Sequence, residues 1–201
     1  MAHKLYETIL GLDISTTTIG ISTINKSLAT GEIALDKVEY FKPPKDGSIF
    51  ERLIKVKKFT SDLLKRFDPD VVVIEDYARF MAGSSGAATI IPLAIFNTTI
   101  GLTIFEQTGK EPIIMNVNTI RKWIKTGDAR LSKEEIPEAV AHHLKIDFPY
   151  EMTKKGKIAV ENYDMADAAS AALAYLKSVE PKPVKPKKLV ESKKIKVFSS
   201  L

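Results

Sequence analysis

The chain has 201 residues, 44% of them hydrophobic and 27% charged, which suits one globular domain with or without an extension. It contains no cysteine and only three histidines, which excludes disulfide frameworks, cysteine-based zinc sites and histidine-rich metal centres. The net charge of +5 is uneven, because Lys177 to Leu201 holds eight lysines and two glutamates and leaves −1 for the rest.

This uneven charge divides the chain into two parts. We predict a folded domain over 1–178 and a basic tail over 179–201, which prolines and lysines should keep disordered. Such a tail would attract nucleic-acid phosphates in a salt-dependent way, or it would serve only as a solubilising extension.

The first third of the chain predicts three strands, Tyr6 to Asp13, Ile19 to Ile24 and Ile33 to Phe41. Short turns separate them, so an antiparallel meander is expected. Apolar residues then recur at helical spacing from Ser48 to Phe67. The continuous apolar run from Val71 to Ile74 is typical of a central strand that is covered on both faces.

The rest of the chain predicts one short strand among helices. A long apolar helix at 87–107 precedes a strand at 112–115, and the later helices are expected at 118–124, 132–144 and 163–177. Ser132 is the expected N-cap of the second of these, with Glu135 completing a capping box and Pro137 early in the helix. The predicted fold is therefore α/β, a five-stranded mixed sheet of three antiparallel strands and then parallel strands, with helices on both faces.

The apolar stretch from Ala87 to Phe105 raises the question of a membrane. It contains Pro92, Asn97 and four threonines and lacks flanking charged anchors, so we interpret it as a buried helix. The first residues also lack the apolar segment of a signal peptide. We therefore expect a cytoplasmic protein with no membrane partner.

Four carboxylates stand at positions that suit a shared site. Asp13 and Glu75 each end a predicted strand, and ligand crevices of α/β sheets lie at such edges. Asp164 and Asp167 are three residues apart and so share one face of the last helix. If these elements are neighbours, the acidic groups repel one another unless divalent cations neutralise them, and oxygen ligands favour Mg²⁺ or Mn²⁺.

Each carboxylate also has a purely structural explanation. An aspartate after a strand is often a turn residue or a cap, and acids in the first turn of a helix suit its dipole. The alignment of all four positions with element ends is what favours a metal site.

Together these residues resemble the RuvC family of Holliday-junction resolvases, within the RNase H-like superfamily. The segment from Gly11 to Gly20 resembles the first motif of the family, although Ile14 and Ser15 stand where the family usually has Pro-Gly. The segment 73–75 resembles the second motif, and 164–168 resembles the final D-x-x-D-A. The resemblance covers roughly residues 6–176 and implies an RNase H-like fold.

The resemblance also implies roles for basic and aromatic residues. Lys122 and Lys133 match positions where the family places cations near the scissile phosphate, although Ala129 replaces a second glycine between them. A solvated helical face would explain these lysines equally. Tyr77 and Phe80, the aromatic residues after Glu75, would bind unstacked bases or simply pack the loop. Further candidate DNA contacts are the lysines Lys125, Lys154, Lys155 and Lys157.

The implied activity is hydrolysis of four-way DNA junctions with two Mg²⁺ ions per active site, leaving 5′-phosphate ends. Asp13, Glu75, Asp164 and Asp167 would be the ligands. A four-way junction has approximate twofold symmetry, so branched DNA and a C2 homodimer are the expected partners, with the helix at 90–105 as candidate interface.

Two other functions share parts of this pattern. A related nuclease that cuts RNA or RNA–DNA hybrids would use the same carboxylates. A phosphotransferase of the actin-like ATPase and sugar-kinase superfamily has a loop similar to residues 13–17, but it needs two such domains and a second phosphate loop, which this sequence lacks.

Overall fold

A computed structural model describes residues 4–76, 86–127 and 131–180. Five strands form one sheet in the order β3-β2-β1-β4-β5, with β1 antiparallel to β2 and parallel to β4. The strands are β1 (Tyr6–Ile14), β2 (Ile19–Ser27), β3 (Ile33–Phe41), β4 (Val71–Glu75) and β5 (Ile113–Met115). The helices are α1 (Ile49–Phe67), α2 (Gly86–Thr108), α3 (Val117–Ile124), α4 (Ile136–Leu144) and α5 (Glu161–Val179). The predicted mixed sheet with helices on both faces is confirmed.

The sheet separates two apolar cores, because successive residues of a strand point to opposite faces. Leu10 and Leu12 pack against α1 and α2 on one side. Ile9 and Val73 pack against α3, α4 and α5 on the other side. This layering explains why β1 and β4 are apolar at nearly every position.

The first helix begins and ends as its sequence predicts. The hydroxyl of Ser48 accepts a hydrogen bond from the backbone amide of Glu51, and the Glu51 carboxylate accepts one from the amide of Ser48. The helix ends at Asp68, whose φ of 42° is left-handed. The capping box at Ser48 therefore fixes where α1 begins.

The start of α4 is a correction, because the predicted helix began at Ser132 and the observed one begins at Ile136. Pro137 lacks an amide hydrogen and would clash with the carbonyl of Lys133 inside a longer helix, so it is tolerated only in the first turn. Half of the expected capping box still forms, since the Glu135 carboxylate accepts a hydrogen bond of 2.7 Å from the Ser132 amide.

Helix α2 is buried on one face only, which corrects the expectation of a buried helix. Phe96, Ile100 and Ile104 face the core, whereas Leu102 and Phe105 are about half exposed, at 53% and 48%. Among the described residues it is the one helix that is long and apolar enough to span a membrane. Its exposed face is therefore an apolar surface without a partner in the described part of the chain.

Arg52 connects α1 and α2 to the turn between β1 and β2. Its guanidinium donates hydrogen bonds of 2.7 Å to the carbonyl oxygens of Thr16 and Pro44. The same group lies over the ring of Phe96, 5.1 Å from the ring centroid. The turn that follows Asp13 is thus held to the helices on that face of the sheet.

Helix α5 approaches the sheet closely at two glycines. A β-carbon on Gly11 would lie 2.0 Å from the carbonyl oxygen of Ala168, and one on Gly20 would lie 2.0 Å from that of Asp164. Both distances are far below any non-bonded contact. Only glycine therefore allows the backbone of α5 to rest on β1 and β2 at this depth.

Replacing Gly11 with alanine should force α5 away from the sheet. We expect a loss of about 2 kcal/mol or more, since overpacking a rigid core typically costs 1–3 kcal/mol. Thermal denaturation followed by circular dichroism should show a midpoint lower by about 4–8 °C. Gly127→Ala is the control, because a β-carbon there meets no atom within 4 Å. Equal midpoints for the two variants would contradict this account of the packing.

Candidate active site

Asp13 and Glu75 lie at the ends of the two central parallel strands. Leu12 of β1 is paired with Ile74 of β4, so the next residue on each strand carries a carboxylate. Leu12 and Ile74 pack in the core on the α1 side. Strand alternation therefore turns Asp13 and Glu75 toward α5.

Helix α5 brings two further carboxylates to the same edge. Asp164 lies in its first turn and Asp167 one turn later, and Asp167 is only 7% exposed. The backbone of Asp164 contacts Gly20, and Gly20 is paired with Asp13 across β1 and β2. The glycine contact thus places the helix carboxylates next to the strand carboxylates.

The four carboxylates perturb one another strongly. Burial raises the pKa of Asp13 well above its usual value, and repulsion from Glu75, Asp167 and Asp164 raises it further. Burial and repulsion from Asp167 also raise the pKa of Glu75, to about 8. Burial raises the pKa values of Asp164 and Asp167 in spite of an opposing lysine. The sequence prediction that these groups meet at one place agrees with this electrostatic coupling.

That lysine is Lys133, which lies inside the cluster. Its ammonium nitrogen is 3.7 Å from Oδ1 of Asp164 and 3.4 Å from Oδ2 of Asp167. Partial burial lowers the pKa of Lys133, but attraction from Asp167, Asp164 and Asp13 outweighs it and raises the pKa overall. Lys133 therefore stays protonated and offsets part of the negative charge.

Arg121 is a second cation of the cluster, and sequence reasoning missed it. Its positive charge lowers the pKa values of Glu75 and Asp167. Its guanidinium also donates a hydrogen bond of 3.5 Å to the carbonyl oxygen of Leu131. It lies on the short helix α3, beside the lysine that the resemblance singled out.

Helical periodicity separates Arg121 from its neighbour. Ile120 and Ile124 are buried and define the core-facing side of α3. At 100° per residue, Lys122 points to the opposite side, while Arg121 flanks the core face. Lys122 is accordingly exposed. The sequence alone gives this separation of Arg121 from Lys122, whereas the position of α3 beside the cluster depends on packing. The assignment of Lys122 to the site stays a prediction.

The remaining predicted nucleic-acid contacts lie elsewhere. Lys125 is exposed at the end of α3, and Lys154, Lys155 and Lys157 are exposed before α5. Tyr77 and Phe80 lie outside the described residues, as does the tail from 181 onward.

The donor set fits a divalent cation of the Mg²⁺ type. All four acidic side chains offer oxygen atoms, which Mg²⁺ and Mn²⁺ prefer, and a bound cation would remove their mutual repulsion. Within 4–76, 86–127 and 131–180, no three acidic or imidazole groups already stand in the arrangement of a metal site. The ammonium of Lys133, between Asp164 and Asp167, instead provides positive charge there.

Three solved structures share this architecture. Thermus thermophilus RuvC in complex with a Holliday junction substrate has a TM-score of 0.63 and 17% identity, over 85% of this chain and 93% of that chain. The yeast mitochondrial Holliday junction resolvase Ydc2 has a TM-score of 0.62 and 14% identity, over 87% and 80%. The fowlpox virus resolvase with Holliday junction DNA has a TM-score of 0.54 and 17% identity, over 85% and 99%.

The chain has the fold of the RuvC-type resolvases. No family model and no curated protein matches the sequence. The fold that the resemblance implied is therefore confirmed by structure, at a level of identity where sequence comparison alone finds no match.

Glu75→Gln should change how the stability of the metal-free protein depends on pH. An ordinary glutamate has a pKa of 4.5, whereas burial and repulsion from Asp167 raise the pKa of Glu75 to about 8 in the folded protein. The folded state therefore binds more protons between these values, so its stability falls as pH rises through this window. Glutamine cannot ionise, so the free energy of unfolding of the variant should match that of the wild type at about pH 4 and below. At about pH 8 it should exceed the wild type by roughly 1–3 kcal/mol, which is less than the full 1.4 kcal/mol per pH unit because the carboxylate is partly exposed.

Urea denaturation in the presence of a chelator measures this difference. Glu111→Gln is the matched control, because Glu111 is exposed and lies away from the cluster. A difference between Glu75→Gln and the wild type that is constant from acidic to alkaline pH would contradict the proposed repulsion.

Proposed function

We propose that this protein is a structure-selective endonuclease that resolves four-way DNA junctions. The observation that carries the proposal is the meeting of Asp13, Glu75, Asp164 and Asp167 with Lys133 at the carboxyl edge of β1 and β4. The RuvC-type fold supports the junction as substrate, since solved proteins of this fold are junction resolvases, two of them in complex with junction DNA.

The four carboxylates would hold two Mg²⁺ ions, and Mn²⁺ would substitute. Asp13, on the central strand, is coupled electrostatically to Glu75, Asp164 and Asp167 and would hold the ions together with them. When bound, such ions lower the pKa of an attacking water and stabilise the leaving 3′ oxygen, which leaves a 5′ phosphate.

The chain's own cations prepare the site for DNA. Lys133 neutralises Asp164 and Asp167 while no substrate is present. It is half exposed, so its ammonium can turn toward a scissile phosphate and offset charge as the phosphodiester bond breaks. Arg121 opposes the upward shift in the pKa values of Glu75 and Asp167, which favours their ionised, ligand-competent form.

A homodimer would present two such sites to the two strands that a junction resolvase must cut. The exposed side chains of α2 support α2 as the interface. Ile91, Ile95, Thr98, Leu102 and Phe105 are all exposed, and their spacing of four, three, four and three residues is that of a helix seam. Pairing with a second α2 would cover this face, so we propose a dimer helix rather than a membrane span.

The cytoplasmic location and the phosphate-binding role of the tail stay predictions. An RNase acting on RNA or RNA–DNA hybrids would use the same carboxylates, so the substrate has to be tested directly. Incubation with Mg²⁺ and end-labelled four-way junction, linear duplex or RNA–DNA hybrid distinguishes these functions. Paired symmetric nicks in the junction alone are the expected result.

Asp13→Asn should abolish cleavage of the junction while leaving junction binding intact. Removing a residue that only supports a metal ligand typically lowers activity roughly 10–100-fold. The cleavage rate of Asp13→Asn should fall by more than this, because a proposed ligand itself is lost. Cleavage is measured on denaturing gels and binding by fluorescence anisotropy. Asp62→Asn, an exposed change of the same type on α1, should cut normally. Full activity of Asp13→Asn would reject the mechanism.

Leu102→Glu should convert a dimer into a monomer of 22.3 kDa. A charge left unpaired in an interface costs about 2–5 kcal/mol, which weakens association roughly 30–4,000-fold. Sedimentation velocity measures the change. Leu28→Glu is the control, since Leu28 is 60% exposed in the turn after β2 and distant from α2 in the fold. A dimer that survives Leu102→Glu would move the interface elsewhere.

A further inference from the structure

Residues 151–160 form a small hairpin that leads directly into α5, and we call it the lysine hairpin. Met152 and Ile158 are paired across it in antiparallel fashion. The amide of Thr153 donates a hydrogen bond of 2.7 Å to the carbonyl of Lys157, and the amide of Ala159 donates one of 3.0 Å to Glu151.

The base of the lysine hairpin is fixed by one buried side chain. Asn162 is fully buried, and its amide nitrogen donates hydrogen bonds of 2.8 Å and 2.7 Å to the carbonyls of Glu151 and Ala159. Its amide oxygen accepts one of 2.7 Å from the Glu151 amide. A buried amide with all these bonds holds both ends of the hairpin rigidly against the first turn of α5.

The tip of the lysine hairpin is a concentrated positive charge. Lys154, Lys155 and Lys157 are exposed, and no ion pair joins them to any residue in the described part of the chain. Gly156 takes the left-handed conformation that the tight turn between them requires, with φ of 71°. Three like charges on so short a turn repel one another, which an anionic partner would relieve.

An apolar pair lies beside this charge. Met152 and Ile158 stay 58% and 47% exposed although they are cross-strand neighbours, so they form a small apolar surface below the tip. Apolar side chains next to cations suit the sugar faces and base edges that DNA presents between its phosphates. A hairpin that served only to connect α4 and α5 would need neither feature.

We propose that the lysine hairpin binds the duplex arm beside the cut, with its tip on backbone phosphates. Asn162 lies two residues before Asp164 in the first turn of α5, so the base of the hairpin is close to the carboxylate cluster along the chain. Four residues from base to tip reach at most about 13 Å at ~3.3 Å per residue. The hairpin therefore spans about four base pairs along a duplex arm, at 3.4 Å per base pair. This inference rests on the proposed nuclease function.

The test replaces Lys154, Lys155 and Lys157 with glutamine and measures junction affinity at several KCl concentrations in a chelator. Each lost phosphate contact reduces the slope of log affinity against log salt by about 0.9, so we expect a fall of about 2–3. Affinity at about 150 mM KCl should fall by roughly 10–100-fold. The junction concentration that gives half-maximal cleavage should rise by a similar factor, because the lost contacts bind the substrate.

A matched triple variant controls for net charge. Lys55, Lys58 and Lys65 are exposed on α1, on the other face of the sheet, and their replacement with glutamine should leave the slope unchanged. Met152→Ala with Ile158→Ala should lower affinity without changing the slope, since no charge is removed. An unchanged affinity would exclude the apolar pair from the surface.

The outcomes separate the two proposals. Suppose that the wild type binds and cuts junctions. The hairpin proposal is then wrong, and the nuclease proposal stands, if the hairpin variant keeps the full salt slope or if the slope falls as much in the α1 variant. If the wild type neither binds nor cuts junctions, both fail. Loss of binding to anionic phospholipid vesicles in the hairpin variant, with an intact slope on DNA, would assign the hairpin to a membrane surface instead.

Discussion

The contact of α5 with two glycines determines where every acidic group of the site can be. Gly11 and Gly20 leave no side chain between the sheet and the helix, so the backbone of α5 rests on β1 and β2. Asp164 and Asp167 reach the strand carboxylates only because the helix lies this low. The small side chains of α5, mainly alanines, serve the same purpose along the rest of the helix.

The resulting concentration of charge is unfavourable by itself. Burial and mutual repulsion raise the pKa values of Asp13 and Glu75, while Lys133 and Arg121 oppose the effect. The fold therefore has to be stable enough elsewhere to hold this cluster together. Its two cores, one on each face of the sheet, provide that stability through apolar burial that does not depend on the site.

The sequence predicted the fold well because apolar residues recur with the helical period of 3.6 or the strand period of 2 in most elements. The strands and α1 follow their apolar patterns, and Val71 to Ile74 is a central strand as its composition indicates. The predicted start of α4 at Ser132 was wrong, because Pro137 is tolerated only in the first turn of a helix and this constraint outweighs the capping signal of Ser132. One-sided burial of α2 could not be read from its sequence, since both of its faces are apolar.

The site was predictable in part for a related reason. Element ends locate Asp13, Glu75, Asp164 and Asp167, and the parallel pairing of β1 and β4 makes their proximity a consequence of topology. Arg121 needed a three-dimensional argument, because its position beside the cluster depends on how α3 packs. The lysine hairpin needed the long-range hydrogen bonds of Asn162, which no local pattern in the sequence indicates.

The contacts of Arg52 couple the position of α2 to the turn after Asp13. Its planar guanidinium joins the carbonyl of Thr16, in the turn after Asp13, to the ring of Phe96 on α2. The hydrogen bond of 2.7 Å to Thr16 and the contact at 5.1 Å from the Phe96 ring centroid restrict movement of the guanidinium relative to both groups. A tilt or slide of α2 would therefore displace the turn that follows Asp13.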